Sequence, residues 1–145
     1  MSEYFRPAIS NGNPHEQALI RRWWHENHAA RGRIVWEYCL EGLYADAIWF
    51  PEIAGHGIEE TGQQSSLRFP LRGSRVVLCE AKIKLTPELI GQALVYAWYA
   101  EQAGASVEET IVFAQLDPYS RQKAAEGLGL TVVIYPLDLP ALVSG

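Results

Sequence analysis

A chain of 145 residues with 48% hydrophobic content is long enough to bury one substantial core, and a single domain over residues 1–145 is expected. Twelve Lys and Arg stand against seventeen Asp and Glu, a formal net charge of -5, which excludes the global basic field that marks many nucleic-acid binders. No segment approaches the ~18 apolar residues of a membrane span, and the N-terminus carries no apolar run behind a basic start, so a cytoplasmic protein with no membrane partner is expected.

In chain order, Asn13-Pro14 marks the first helix, with Asn13 as N-cap, Pro14 in the first turn and Glu16 at the third position. Leu19, Ile20, Trp23 and Trp24 give it an apolar stripe, and Arg31-Gly32 should stop it. RIVWEYCLEG and LYADAIWFP follow, rich in β-branched and aromatic residues and divided by Glu41-Gly42, which is a hairpin pattern. Residues 51–73 lose periodicity and collect Gly, Ser, Gln and Pro, as a long functional loop would. A strand over Val76–Ile83, a helix from Thr86-Pro87 to about Gln102, a strand in ETIVFAQ, a helix capped by Asp117 and a strand in LTVVIYP complete the order αβββαβαβ. The fold class is α/β (α+β mixed), a central mixed sheet flanked by helices.

Two places in this pattern put charge where apolar residues are expected. Strand alternation sets Glu80 and Lys82 on one face beside Val76 and Leu78, and Asp46 stands among Ala45, Ala47 and Ile48. Such charges are costly unless paired or bound to an ion. If Asp46 and Glu80 converge, they form a hard-oxygen site suited to Mg²⁺ or Mn²⁺, into which Lys82 would point.

Nine of the twelve basic residues fall in two groups: Arg21, Arg22, Arg31 and Arg33, then Arg68, Arg72, Arg75, Lys82 and Lys84. They could form a phosphate-facing patch, with Arg68, Arg72, Arg75 and Lys84 the candidate nucleic-acid contacts, although a solvated face is the ordinary outcome. Cys39 and Cys79 lie far apart and fit no metal-binding spacing. His25 and His28 lack a carboxylate or Cys partner, and core packing is expected for most of the five Trp.

Asp46 followed by Glu80-Ala81-Lys82, between a leading and a following helix, resembles the PD-(D/E)XK nuclease superfamily. Gln92-Ala-Leu-Val-Tyr96 on the next helix resembles the Gln-x-x-x-Tyr element of its RecB-type and Cas4-type branch. The resemblance covers roughly residues 16–100 and implies a restriction-endonuclease-like core. It also implies a Mg²⁺-dependent deoxyribonuclease that hydrolyses phosphodiester bonds by a metal-activated water, with endonuclease and exonuclease action both open. Asp46, Glu80 and the Ala81 carbonyl would hold the ion, Lys82 would position the nucleophile, and Gln92 and Tyr96 would support it. Glu16 matches the acidic residue that many members add, but its spacing from Asn13 equally fits a capping box.

Three departures are visible. Ala45 rather than Pro precedes Asp46, 33 residues separate Asp46 from Glu80, and the four cysteines of the Cas4-type iron-sulfur cluster are missing. DNA is the implied partner, and specificity would come from the long loop, a homodimer or a separate targeting partner. The alternatives are a non-catalytic nucleic-acid-binding or assembly protein on the same fold, and a phosphodiesterase acting on RNA or a small molecule. Glu80 and Lys82 as a structural ion pair, with Gln92 and Tyr96 as core, is the structural alternative.

Overall fold

The computed structural model describes residues 3–9, 11–62 and 64–137. The first helix, α1 (Pro14–His28), begins as its sequence predicts: the Asn13 side chain accepts from the backbone N–H groups of His15 and Glu16. It ends before the Arg31-Gly32 expected to stop it. Ala29 and Ala30 turn left-handed, with φ of 51° and 52°, and the Ala30 N–H returns to the Trp24 carbonyl. Leu19, Ile20, Trp23 and Trp24 are buried. Trp23 meets Trp49 edge to face at a centroid distance of 5.5 Å, so its stripe is core.

Strands β1 (Arg33–Leu40) and β2 (Leu43–Phe50) form the expected hairpin. Glu41 and Gly42 both take positive φ, 51° and 80°, the turn whose twist matches that of the flanking strands. The stretch 51–73 differs from the expected loop. It holds β3 (Ile58–Thr61), parallel to β1 at the edge of the sheet, and a short helix α2 (Ser65–Arg68). Ile58-Glu59-Glu60-Thr61 has no apolar alternation to announce a strand. Arginines order it: Glu59 accepts from Arg6 and from the fully buried Arg21, and Glu60 from Arg33 and Arg68.

Strand β4 (Arg75–Ala81) lies beside β2, antiparallel, and α3 (Pro87–Gln102) carries the chain over to β5 (Ser106–Ala114), parallel to β4. Then α4 (Gln122–Gly127) leads to β6 (Thr131–Ile134), parallel to β5. Asp117 does not start α4 directly. A turn through Pro118–Ser120 intervenes, and the Asp117 carboxylate accepts from the N–H groups of Arg121 and Gln122. The six strands run β3-β1-β2-β4-β5-β6, a mixed sheet with α1 on one face and α3 on the other. Trp36, Ala47, Trp49, Val77 and Cys79 pack toward α1, while Val35, Ile48, Val76 and Leu78 pack in the core that includes Tyr96 and Ala100 of α3. Among the described residues no helix is long and apolar enough to cross a membrane.

Candidate metal and active site

The ladder between β2 and β4 ends at Ala47 opposite Cys79. One step further, side chains replace backbone groups as partners. The Asp46 N–H donates to Glu80 Oε2 at 2.7 Å, and the Ala81 N–H donates to Asp46 Oδ2 at 2.8 Å. Each carboxylate thereby caps the backbone of the other strand, and Asp46 and Glu80, 34 positions apart in sequence, face each other at the end of the sheet. Only 2% of Glu80 is exposed.

Two carboxylates brought together in a dry place cannot both stay ionised cheaply. Burial, then the Asp46 charge and the hydrogen bond to it, push the Glu80 carboxyl well above the usual carboxylate range. Burial also raises Asp46, against the opposing effects of its hydrogen bonds to Glu80 and the Ala81 N–H and of the Lys82 charge. The pair as it stands is suited to hold one proton between two carboxyl groups, or a cation in its place.

Lys82 lies one residue beyond β4, and its N–H bonds the Phe113 carbonyl, so strand alternation carries on to it. Half-buried, it places its ammonium where it offsets the charges of Asp46, Glu80 and Glu16. Glu16 is therefore part of this neighbourhood: burial and the Asp46 charge raise its carboxyl, and Lys82 opposes them. The Asn13 half of the capping box forms. Among the described residues the Glu16 carboxylate makes no hydrogen bond back to Asn13.

Tyr96 is buried on the inner side of α3, its hydroxyl raised by burial and then by the charges of Glu80, Asp46 and Glu88. Gln92, one turn earlier, is half-buried and donates through Nε2 to Glu88 Oε1 at 3.3 Å. The geometry thus brings Glu16, Asp46, Glu80, Ala81, Lys82 and Tyr96 to one end of the sheet, while Gln92 is turned toward its own helix.

One further carboxylate belongs here. Glu37, in the middle of β1, occupies the position opposite Asp46 that the β1–β2 ladder skips between Trp36↔Ala47 and Tyr38↔Ala45. Its φ of 51° is a left-handed conformation costly for a non-glycine residue inside a strand. Gly62 packs on it so closely that a Cβ there would collide with the Glu37 carbonyl. Glu37 lines a small cleft of about 10 Å³, room for the centre of one water, with Asn13, Glu16, Gln17 and Asp46, and its charge raises Asp46. The signal was present in RIVWEYCL, an acid inside an apolar strand just as Asp46 is.

A divalent ion is what the resemblance implies, and the donor set suits it in kind: carboxylate and carbonyl oxygens, with no sulfur or imidazole. Among the described residues, no three His, Cys, Asp or Glu side chains stand as a ready-made metal cage. Asp46 and Glu80 would supply two ligands, and a carbonyl, water and substrate the others.

Two of the four candidate nucleic-acid contacts already have acidic partners. Arg68 pairs with Glu60, and Arg75 with Glu52 and Glu108. Arg72 lines an open groove between α3 and the 66–72 segment, and Lys84 is exposed beyond β4. No protein-family model matches the chain, and no solved structure is significantly similar to it.

Proposed function

We propose that the protein is a metal-dependent nuclease with a restriction-endonuclease-like core, hydrolysing phosphodiester bonds in DNA. The observation that carries this reading is the reciprocal Asp46–Glu80 pair: two carboxylates facing each other at the end of the sheet with the Lys82 charge beside them. With Glu16 and Glu37 the neighbourhood holds four carboxylates against one lysine, an imbalance that a Mg²⁺ or Mn²⁺ ion relieves. The architecture supports the same reading, since a central mixed sheet flanked by helices is what the resemblance implies.

The ion, when bound, supplies Lewis-acid stabilisation of charge building on the phosphoryl oxygens. The chain's own groups do the rest. Asp46 and Glu80 would hold the ion through their carboxylates. Lys82 orients the attacking water in line with the scissile bond and offsets negative charge in the transition state. Glu16, with its raised carboxyl, is placed to accept the proton that the water loses. Tyr96, whose hydroxyl feels the charges of Glu80 and Asp46, would support Lys82 and the water from α3.

The test is incubation of purified protein with plasmid and single-stranded DNA, with Mg²⁺ or Mn²⁺ and with EDTA, beside Lys82→Ala and Asp46→Asn. Cleavage that needs the ion and fails in both variants is expected; cleavage that survives both substitutions removes the mechanism. A second reading, a non-catalytic binding or assembly protein, draws on one observation: the carboxylates already satisfy backbone N–H groups across the strand gap, as a purely structural clasp would. Intact DNA at every ion concentration favours that reading.

A further inference from the structure

Sorting the twelve basic residues by partner divides the molecule. Arg6, Arg21, Arg22, Arg33, Arg68 and Arg75 are each in an ion pair. The other six form none among the described residues. Of these, Arg31 lies over the Trp49 ring and Arg72 lines the groove beside α3. Of the remaining four, Lys82, Lys84 and Arg121 stand on the two loops that leave the C-terminal ends of β4 and β5, and Lys123 follows in the first turn of α4.

These loops are tied to each other. The N–H groups of Gln115 and Leu116 both donate to the Ile83 carbonyl, and the Leu85 N–H donates to the Leu116 carbonyl. Asp117, the one acid within 82–85 and 115–123, spends its carboxylate on the N–H groups of Arg121 and Gln122. Four cations less one acid leave these short segments at +3 in a chain of net charge -5. Tyr119, 73% exposed, sits on the same surface with the Arg121 guanidinium over its ring at 4.7 Å. An open aromatic face among cations outside any ion pair fits a phosphodiester strand with an unstacked base better than it fits an apolar protein partner. Lys82 is shared with the carboxylate site, so the surface begins where the chemistry is.

We propose that the paired loops 82–85 and 115–123 form the binding track for a single-stranded segment of the nucleic acid, with Lys84, Arg121 and Lys123 on successive phosphates and Tyr119 stacked on a base. This rests on the nuclease reading for its orientation toward Lys82, yet binding is measured apart from cleavage. The track replaces Arg68 and Arg75 as the main phosphate contacts, because their charges are already engaged by Glu60, Glu52 and Glu108.

The test is binding of a fluorescent single-stranded oligonucleotide and of its duplex in EDTA across a salt series. The proteins compared are the full chain, Lys84→Gln/Arg121→Gln/Lys123→Gln, Tyr119→Ala, and Arg22→Gln, which removes one charge already paired with Glu26. The triple variant should flatten the slope of log K against log salt by about 2, the loss of three phosphate contacts on a single strand. Tyr119→Ala should weaken the single strand by about tenfold and the duplex much less. Arg22→Gln should bind as the unaltered chain does, and melting curves show that all variants fold. An unchanged salt slope in the triple variant, or no binding by the unaltered protein at low salt, overturns the proposal. Binding without cleavage leaves the track standing and removes the nuclease reading; cleavage with an unchanged triple variant does the reverse.

Discussion

Two buried charge clusters, built from neighbouring elements, are solved in opposite ways. Arg21, fully buried on α1, meets Glu59 of β3 at 2.8 Å; Glu59 also accepts from Trp36 Nε1, and the guanidinium lies 5.1 Å over the Trp36 ring. Opposite charges, a hydrogen-bonded indole and a stacked cation leave only Arg21 Nη2 without a partner, so the cluster is close to closed. Asp46 and Glu80 bring like charges together, and the nearest cation, Lys82, is shared with Glu16. One cluster ties the edge strand to the first helix. The other is left short of positive charge, which is the condition for taking up an ion.

The largest expected effect breaks the closed cluster. Arg21→Met should lower the unfolding free energy by about 3 kcal/mol in a urea titration, because the largely buried Glu59 then keeps only the half-exposed Arg6 as its counter-charge. Adding Glu59→Gln, which keeps an acceptor for the Trp36 indole, should recover much of that loss. Lys82→Ala acts on the open cluster. It should slow DNA cleavage by about 10²- to 10³-fold in a single-turnover assay while the chain stays folded.

The third prediction concerns pH. The folded-state value of Glu80 lies above its unfolded one, so the fold favours the protonated form. Its contribution to stability is complete below the usual carboxylate range and is lost as pH rises through the raised value. Glu80→Gln, a neutral copy of the protonated acid, escapes that loss. In EDTA above neutrality it should melt about 2–4 °C higher than the unaltered chain, roughly 1 kcal/mol at this length, and the gain should vanish at acid pH. Mg²⁺ should raise the melting temperature of the unaltered chain and leave Glu80→Gln nearly unmoved. The smallest effect is expected of Tyr96→Phe, about a two- to tenfold loss of cleavage rate from one hydroxyl, read at saturating DNA.

What was legible in the chain was whatever local chemistry dictates. Asn13-Pro14 and Thr86-Pro87 started helices, Glu41-Gly42 made the hairpin, and acids among apolar strand residues marked Asp46 and Glu80. What depended on partners far off in sequence was hidden. Ile58–Thr61 is a strand because Arg21 and Arg33, from α1 and β1, neutralise its two glutamates, and no local pattern reports that. The basic groups misled for the same reason: spacing shows where arginines are and says nothing of which carboxylates have already claimed them. Glu37 was missed although it carries the same signal as Asp46, and its left-handed backbone, fitted against Gly62, is a property of the folded sheet alone.

The most direct measurement is anomalous scattering from a crystal of the protein soaked in Mn²⁺. We expect one peak between the carboxylates of Asp46 and Glu80, within ligand distance of both and of the Ala81 carbonyl, that disappears in Asp46→Asn. An empty site, with Asp46 and Glu80 still hydrogen-bonded across the end of the sheet at saturating Mn²⁺ and neutral pH, would contradict the account.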